Sequence, residues 1–600
     1  MQTKNIFFVE FIENVESIDK FYEKNDIIIA LSPEVASELD LKNIPYKTLQ
    51  EDYYSHKDYV LIIDKLEKQL FKIIEKLDFE LEKFDNNFEL AKIKPFYRHI
   101  YFFKFIFDNI RVKIFELDSL FKKEHINKIK YFEVKNQPII NFYEFSDSES
   151  IYQKLLVPMS KNYNYTLNPI KLNQNVNIPI KSYSTLIKNF LRPIKKSLVN
   201  IKFRPIKKSK KILSVNCREI ESVGDYFAKE GWQIYPFTIK HNTKVDEKFS
   251  KLFMGKLAVN KIILNEFSFL DIEFFNLIKN RIEFFCNSLI SILDHYYSLD
   301  NYINKNNFNI VFFETLTPFK VENVLLPLIC KNRKIPYVCW MHGGAGNNKT
   351  LNGYKFSDHI FGSHYFIYGE QYKDLIHKYN SKFKLIPHVT GSPLIIKRYA
   401  NYIAPKNKKK VVTIVTGPTG NRNIYHLFDD PNYRFDYYFP LKAAIKIAAK
   451  YKNKYRVIIR LHDNKSQRDL INNLLKKNNA QHIELIDTKA MPFKKIVSIS
   501  DLFINFIVST TFYEECISNA DIFIYDNSDL TNKTKKIINN RSFWFNNIKT
   551  FSNDLNKYLE DGIFHQKSND NSFLNDNFNW NRKSEIAQNT YNTVKNIVEL

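Results

Sequence analysis

The stretch "YVCWMHGGAGNNKT" (Tyr337–Thr350) sets His342 beside Gly343, Gly344 and Gly346 in a chain with only 13 glycines over 600 residues. Counted along the sequence, 9 of the 13 fall between Gly343 and Gly420. Glycine is conformationally costly and belongs where backbone turns sharply or approaches a ligand closely. The cluster is therefore read as a site, with ordinary tight turns between strands and helices as the competing reading. A second group of residues lies further on. "VTGPTGNRN" supplies Gly417, Thr419, Gly420 and Arg422; "RLHDN" supplies Arg460, His462 and Asp463; "VSTTFYEE" supplies Ser509, Thr510, Thr511, Glu514 and Glu515. Hydroxyls and backbone amides at a helix N-terminus donate to phosphate oxygens, and basic side chains offset phosphate charge. A carboxylate one turn into that helix can accept from ribose hydroxyls. Such a set suits a nucleoside diphosphate. Taken singly, each piece has a plainer reading: Ser509–Thr511 as a helix cap, Glu514 as surface charge, His462 as a turn residue. GPTG is no P-loop, since no Gly-Lys-Ser/Thr follows, which disfavours ATPase chemistry.

The elements that must position these residues follow from hydrophobic patterning. In the C-terminal half, "KVVTIVTG" (Lys410–Gly417), "YRVIIRLH" (Tyr455–His462), "HIELID" (His482–Asp487), "DLFINF" (Asp501–Phe506) and "DIFIYD" (Asp521–Asp526) read as strands. Helical patterns at Phe439–Tyr451, Ser466–Asn478 and Thr510–Ala520 alternate with them. That alternation predicts a parallel, Rossmann-type sheet, whose ligands bind at the carboxyl ends of the strands. Before it, "KILSVN", "WQIYPF", "NIVFFET" and "IPYVCW" are further strand-like runs, followed by "FIYGE" and "KLIPHVTGSP" (Lys384–Pro393). "ANYIAPKNKKK" (Ala400–Lys410) reads as an interdomain linker, giving two α/β halves hinged near residue 400. The chain start alternates strand-like runs (Ile6–Phe11, Asp26–Ser32, Tyr46–Leu49) with helical segments and suggests an α/β unit. From about residue 57 to 135 the pattern is long and helical and is expected to be an insertion. The expected domains are thus 1–400, with that insertion and a basic linker at about 181–211, and 401–600.

Composition bounds the partners. The formal net charge of +24 favours polyanions: nucleic acid, an anionic membrane or phosphorylated substrates. "FLRPIKKSLVNIKFRPIKKSKK" carries RPIKKS twice, at Arg192–Ser197 and Arg204–Ser209, with apolar residues interleaved and no acid. It is either a solvated linker or, over Arg192–Lys211, a patch that docks on anionic lipid headgroups. No nucleic-acid motif accompanies it, so no nucleic-acid partner is expected. Five scattered cysteines indicate neither a zinc knuckle nor a disulfide framework and fit a reducing cytosol. The N-terminus is not read as a signal peptide, and no apolar run is long enough for a membrane span.

Taken together, "WMHGG", "YGE…VTGSP", "IIRLHD" and "VSTTFYEE" resemble the GT-B superfamily of glycosyltransferases. The likeness is greatest to bacterial surface-polysaccharide enzymes such as the CDP-glycerol glycerophosphotransferases and capsule sugar transferases. The resemblance covers about residues 305–526. His342–Gly343 match those families' histidine-glycine pair on the acceptor side. Arg460–Leu461–His462 match the basic-x-His-Pro motif, with Asp463 in place of Pro, and Ser509–Glu514 match the hydroxyl-rich stretch ahead of a Glu-containing helix. The resemblance implies an α/β fold of two Rossmann-like domains facing a cleft, with Gly343, Gly344 and Gly346 close to acceptor or donor phosphate. It implies His342 as general base on an acceptor hydroxyl, or alternatively as a neutral group positioning phosphate; an ordinary pKa of about 6.5 suits the former. No DxD-like metal site is present, so Arg422, Arg460, His462 and helix dipoles are expected to offset phosphate charge without a metal or cofactor. The expected activity is transfer of a sugar from a nucleotide-activated donor to a surface glycan or lipid-linked glycan, by a cytoplasmic enzyme peripheral to the membrane. Transfer of a polyol phosphate is the variant of this reading; a nucleotide-sugar 2-epimerase or a non-catalytic scaffold are the alternatives.

Overall fold

The computed structural model describes residues 4–85, 89–134, 139, 142–143, 149–172, 209–239, 245–341, 343, 355–402, 409–417, 435–461, 465–506, 508–526, 530, 532–562 and 570–599. Three parallel sheets organise these residues. The first contains β1 (Lys4–Val9), β2 (Asp26–Ala30), β3 (Lys47–Thr48), β4 (Ile126–Phe132) and β5 (Thr166–Ile170), in the order β3-β2-β1-β4-β5. The second begins with β6 (Lys210–Val215) and β7 (Trp232–Pro236). A small antiparallel pair, β8 (Ser268–Phe269) and β9 (Ile272–Glu273), intervenes before β10 (Ile310–Phe313), β11 (Tyr337–Trp340), β12 (His364–Ile367) and β13 (Ile386–Val389). Its order is β13-β12-β11-β10-β6-β7. The third has β14 (Val411–Val415), β15 (Arg456–Arg460), β16 (Glu484–Ile486), β17 (Leu502–Asn505), β18 (Asp521–Tyr525) and β19 (Phe543–Phe545), in the order β16-β15-β14-β17-β18-β19. Each sheet reverses its winding once, between β1 and β4, β6 and β10, and β14 and β17. Those reversals are the topological switch points at which doubly wound sheets bind ligands.

Most strands of the second and third sheets form where the apolar runs predict, whereas β4, β5, β8, β9 and β19 fall outside those runs. "VVTIV" of β14 and "IVFF" of β10 are buried along their whole length, as strands covered by helices on both faces must be. The described cysteines are all buried and free. Among the described residues no helix is long and apolar enough to cross a membrane.

Residues 1–400, the expected N-terminal domain, hold two of the sheets. The helical insertion is present as His56–Phe84, Glu89–Ile93, Pro95–Arg98 and Ile100–Lys123, inside the β3–β4 crossover. It ends earlier than the expected residue 135, because Ile126–Phe132 pairs with β1 as a strand. Its helices pack on the central domain: Phe71 stacks on Phe356 at 5.5 Å, and Gln69 donates to the carbonyls of Glu266 and Ser268 at 2.7 and 2.9 Å. The same N-terminal unit also touches the C-terminal domain through the helix Pro33–Lys42. There Asp40 meets Lys442 at 2.5 Å and accepts from the Tyr438 hydroxyl at 2.6 Å, and Glu38 accepts from Asn473 at 2.9 Å.

The last residues of the expected 401–600 domain pack elsewhere. Helices Ser572–Phe578 and Ile586–Glu599 leave the third sheet and return to the central domain. Phe578 stacks on Tyr368 at 5.5 Å, Tyr591 packs on Tyr226 and Phe227, and Glu599 pairs with Lys210. The chain thus crosses between the two domains twice. Two of the clustered glycines exist for this return: a Cβ at Gly369 would collide with the Asp576 carbonyl, and one at Gly391 (φ +76°) would lie 2.6 Å from Ile586 Cδ1.

Gly369→Ala is therefore expected to destabilise the protein by about 1–3 kcal/mol, the usual range for forcing an extra methyl against backbone. Gly255→Ala, in the exposed face of helix Glu247–Ala258 with nothing within 4 Å of the added carbon, is expected to stabilise by about 0.5–1 kcal/mol. Thermal and urea unfolding of the two variants should move in opposite directions; an unchanged Gly369→Ala would contradict the docked C-terminal segment.

Candidate functional site

The carboxyl ends of the third sheet carry Gly417 and Arg460, with Ser509, Thr510 and Thr511 just beyond β17, from among the residues expected to hold a donor. Gly417 follows β14; its N–H donates to the Tyr437 hydroxyl and its carbonyl accepts from Gln467 Nε2 at 2.5 Å. Arg460 ends β15 with only 6% of its surface exposed, and its Nη1 donates to the Leu461 carbonyl. The expected guanidinium is thus buried at the end of its strand. Ser509 stands at the N-cap position of helix Thr510–Cys516 yet makes no side-chain capping bond. Its Oγ lies 2.8 Å from Thr511 Oγ1, so the plain capping reading fails for this hydroxyl. Behind the turn, Asp526 at the end of β18 accepts from the Val508 N–H at 3.0 Å.

Glu514 departs from the expectation of a ribose-facing or surface carboxylate. It is 5% exposed and points into the protein, with Oε1 2.7 Å from Arg398 Nη1 and Oε2 accepting from the Tyr399 hydroxyl. Both partners lie on helix Pro393–Tyr399, the last helix before the linker. A carboxylate buried to this degree requires such partners. Glu515 is also buried inward, and Asn505 donates to it; burial pushes its carboxyl well above the ordinary range.

Across from this turn lies the end of β11. Gly343 has φ +78°, and a Cβ there would sit 2.5 Å from Thr510 Oγ1. The carboxyl ends of the central and third sheets therefore face each other and touch at Gly343 and Thr510. That is the arrangement of facing Rossmann-like domains that the GT-B resemblance implies. His342, Gly344, Gly346, Thr419, Arg422 and His462 lie outside the described residues, as does the basic stretch up to residue 208.

Beneath Gly343 the central domain carries a buried polar network that sequence reading missed. Glu219, on the short helix after β6, is 5% exposed. It accepts from the Tyr368 hydroxyl at 2.9 Å, the Ser392 hydroxyl at 2.6 Å and the Leu394 N–H at 2.8 Å. The Tyr368 hydroxyl also meets the Gly343 backbone. Burial raises the Glu219 carboxyl above its ordinary range, while the three donors pull it back. Tyr368 and Ser392 belong to the "YGE" and "TGSP" motifs, so those motifs converge on one carboxylate below the glycine loop. At the mouth, Arg218 donates through Nε to Glu314 Oε1 at 2.8 Å. Glu314 immediately follows β10, and the strand-end rule would have found it.

No family model matches the chain, and no curated protein matches it. Among solved structures it is similar to a glycosyltransferase from Rickettsia africae ESF-5, at 12% identity over 65% of this chain and 99% of that one, with a TM-score of 0.38. It is also similar to the UDP-GlcNAc 2-epimerase from Neisseria meningitidis bound to UDP-GlcNAc, at 14% identity over 64% of this chain and 100% of that one (TM-score 0.38). A third is the lipopolysaccharide outer core galactosyltransferase WaaB in its apo form, at 11% identity, 65% and 99% coverage and a TM-score of 0.38.

A carboxyl with a raised folded pKa contributes its stability in full below the unfolded value of about 4.3 and loses it as pH rises toward the folded value. The Tyr368 hydroxyl supports the ionised form of Glu219. Tyr368→Phe is therefore expected to destabilise by about 2 kcal/mol at pH 8, in the range for hydrogen bonds to charged groups, and by clearly less at pH 4.5. Urea unfolding at the two pH values reads this; a loss that does not change with pH would contradict the network.

Proposed function

We propose that the chain is a GT-B-type transferase that uses a nucleotide-activated sugar, the donor being held by the third sheet and the acceptor entering from the central one. The observation that supports this most is the contact of Gly343 with Thr510, which sets the histidine-glycine loop against a hydroxyl-bearing turn of the other domain. In this reading the donor diphosphate lies between the Gly417 turn and Ser509–Thr511, with the buried Arg460 charge at the end of β15. Thr419, Arg422 and His462 join them on the strength of the sequence. His342, adjacent to Gly343, takes the proton of the acceptor hydroxyl as the acceptor oxygen bonds to the sugar's anomeric carbon. The bond from that carbon to the diphosphate breaks, and a nucleoside diphosphate leaves. Gly344 and Gly346 let the backbone come close to the reacting groups. The acceptor is a surface or lipid-linked glycan, and the basic stretch Arg192–Lys211, apart from Lys210 and Lys211 in β6, holds the enzyme on the inner, anionic face of the membrane.

The released nucleotide separates this reading from its neighbours. Sugar transfer leaves a nucleoside diphosphate only when a glycan acceptor is present. Polyol-phosphate transfer leaves a nucleoside monophosphate, and epimerisation turns over the donor without an acceptor.

His342→Ala is expected to lose about 10²–10⁴-fold in turnover, the usual contribution of general-base catalysis, while keeping the thermal shift given by the nucleotide. His342→Gln is expected to be nearly as inactive, since glutamine cannot take the proton. Glutamine rescue together with weakened nucleotide binding in the alanine variant would move His342 to phosphate positioning; full activity in His342→Ala would remove it from the mechanism.

A further inference from the structure

Helix Glu247–Ala258 carries apolar residues on both of its faces. Inward, Phe253, Met254 and Leu257 are buried, and the rings of Phe249 and Phe253 lie 5.3 and 5.5 Å from that of Phe84 in the helical insertion. Outward, Leu252, Gly255 and Val259 follow one another at helical spacing, with Ala258 beside them, and all four are exposed. Ile262, on the short helix Lys261–Leu264 that comes next, continues the stripe. Val259 and Ile262, at 77% and 70%, are the two most exposed large apolar side chains among the described residues, and Leu252 stands at 58%. A surface helix ordinarily turns polar residues to water. Single apolar residues there need no explanation, but a continuous run of them marks a surface that meets something.

The charge around the stripe says what it meets. From Lys248 to Asn265 the chain has four lysines, Lys248, Lys251, Lys256 and Lys261, and no acid. The acids that flank this segment are already engaged. Asp246 caps the helix by accepting from the Phe249 N–H at 2.9 Å, and Glu247 pairs with Lys251 at 3.0 Å. Beyond the stripe, Glu266 is held between Lys72 and Lys76, each at 2.7 Å. An apolar face edged by lysines is complementary to the boundary between anionic headgroups and acyl chains. There the apolar side chains enter the hydrocarbon while the long lysine stems let each ammonium stay at headgroup level.

We propose that the outward face of Glu247–Ala258, continued by Ile262, is a membrane-docking surface whose partner is an anionic bilayer. It adds an apolar contact to the charge of the basic stretch before β6, and lasting attachment to a bilayer ordinarily takes two such signals. The proposal holds whether or not the chain is a transferase, because lipid binding is measured without donor or acceptor.

The test is sedimentation of the full chain with vesicles of phosphatidylglycerol and phosphatidylethanolamine, beside vesicles of phosphatidylcholine alone. It is run at about 0.1 M and about 1 M salt, where the Debye length is about 10 Å and about 3 Å. The wild-type chain is expected to favour the anionic vesicles, with part of the binding surviving at high salt. Joint replacement Leu252→Gln, Val259→Gln and Ile262→Gln leaves the net charge unchanged. It is expected to weaken binding about tenfold or more and to abolish the salt-resistant part, since three apolar side chains no longer leave water. Thermal unfolding of that variant is expected to stay as in the wild type. A second readout does not depend on it: the five cysteines are buried, so Val259→Cys takes a nitrobenzoxadiazole label at that position. The label is expected to emit at shorter wavelength on anionic vesicles and to be quenched by brominated acyl chains. Failure of the wild-type chain to bind, binding unchanged in the triple variant, or a label that brominated chains do not quench would each overturn the proposal. So would a wild-type dimer that the triple variant turns into a monomer, because the stripe would then be covered by a second copy.

Discussion

The buried pairing of Glu514 with Arg398 and Tyr399 is the interaction around which the cleft is arranged. It joins helix Thr510–Cys516, which carries the hydroxyl turn, to helix Pro393–Tyr399, which ends the central domain. The N-terminus of that second helix is held by Glu219, which accepts from Leu394 and Ser392. Glu219 accepts from Tyr368, and Tyr368 meets the Gly343 backbone. Gly343 faces Thr510. The contacts close a ring from one side of the cleft to the other and back. Each carboxylate in it is too deeply buried to be left without partners, so removing one member exposes the next to the full desolvation cost.

A second constraint comes from the chain's own path. Tyr513 packs edge-on against Phe578 at 4.8 Å, and Phe578 stacks on Tyr368, so the returning C-terminal segment fastens the two domains at the same place as the Glu514 pairing. The N-terminal unit adds contacts to both domains through its helical insertion and the helix Pro33–Lys42. Together these fix the spacing between the strand ends of the central and third sheets.

Much of this was legible in the sequence. β14, β15, β17 and β18 are short apolar runs between turn residues, and buried parallel strands have that pattern whatever surrounds them. β4 was not legible, because "INKIKYF" continues directly from a helical pattern and carries lysines on the same run. β5, "TLNPI", is a partly exposed edge strand containing Pro169, which reads as a turn. The glycines divided: Gly343 marks the cleft, whereas Gly369 and Gly391 make room for helices that start about 200 residues further along the chain, and no local pattern announces a contact at that separation. Glu514 was found by its spacing but given an outward role, since sequence cannot tell that Arg398 and Tyr399 lie beneath it. Glu219 was missed for the same reason.

The central claim is that the ends of the central and third sheets form one ligand-binding cleft. Hydrogen exchange on the full chain, with and without a saturating nucleoside diphosphate from a UDP, CDP and GDP panel, tests it most directly. Occupation of the cleft is expected to slow exchange both in 505–517 and in the segment around Tyr337–Gly343, with the outer helices of the insertion unaffected. Protection confined to one of the two segments, or appearing only in the N-terminal unit, would contradict the claim.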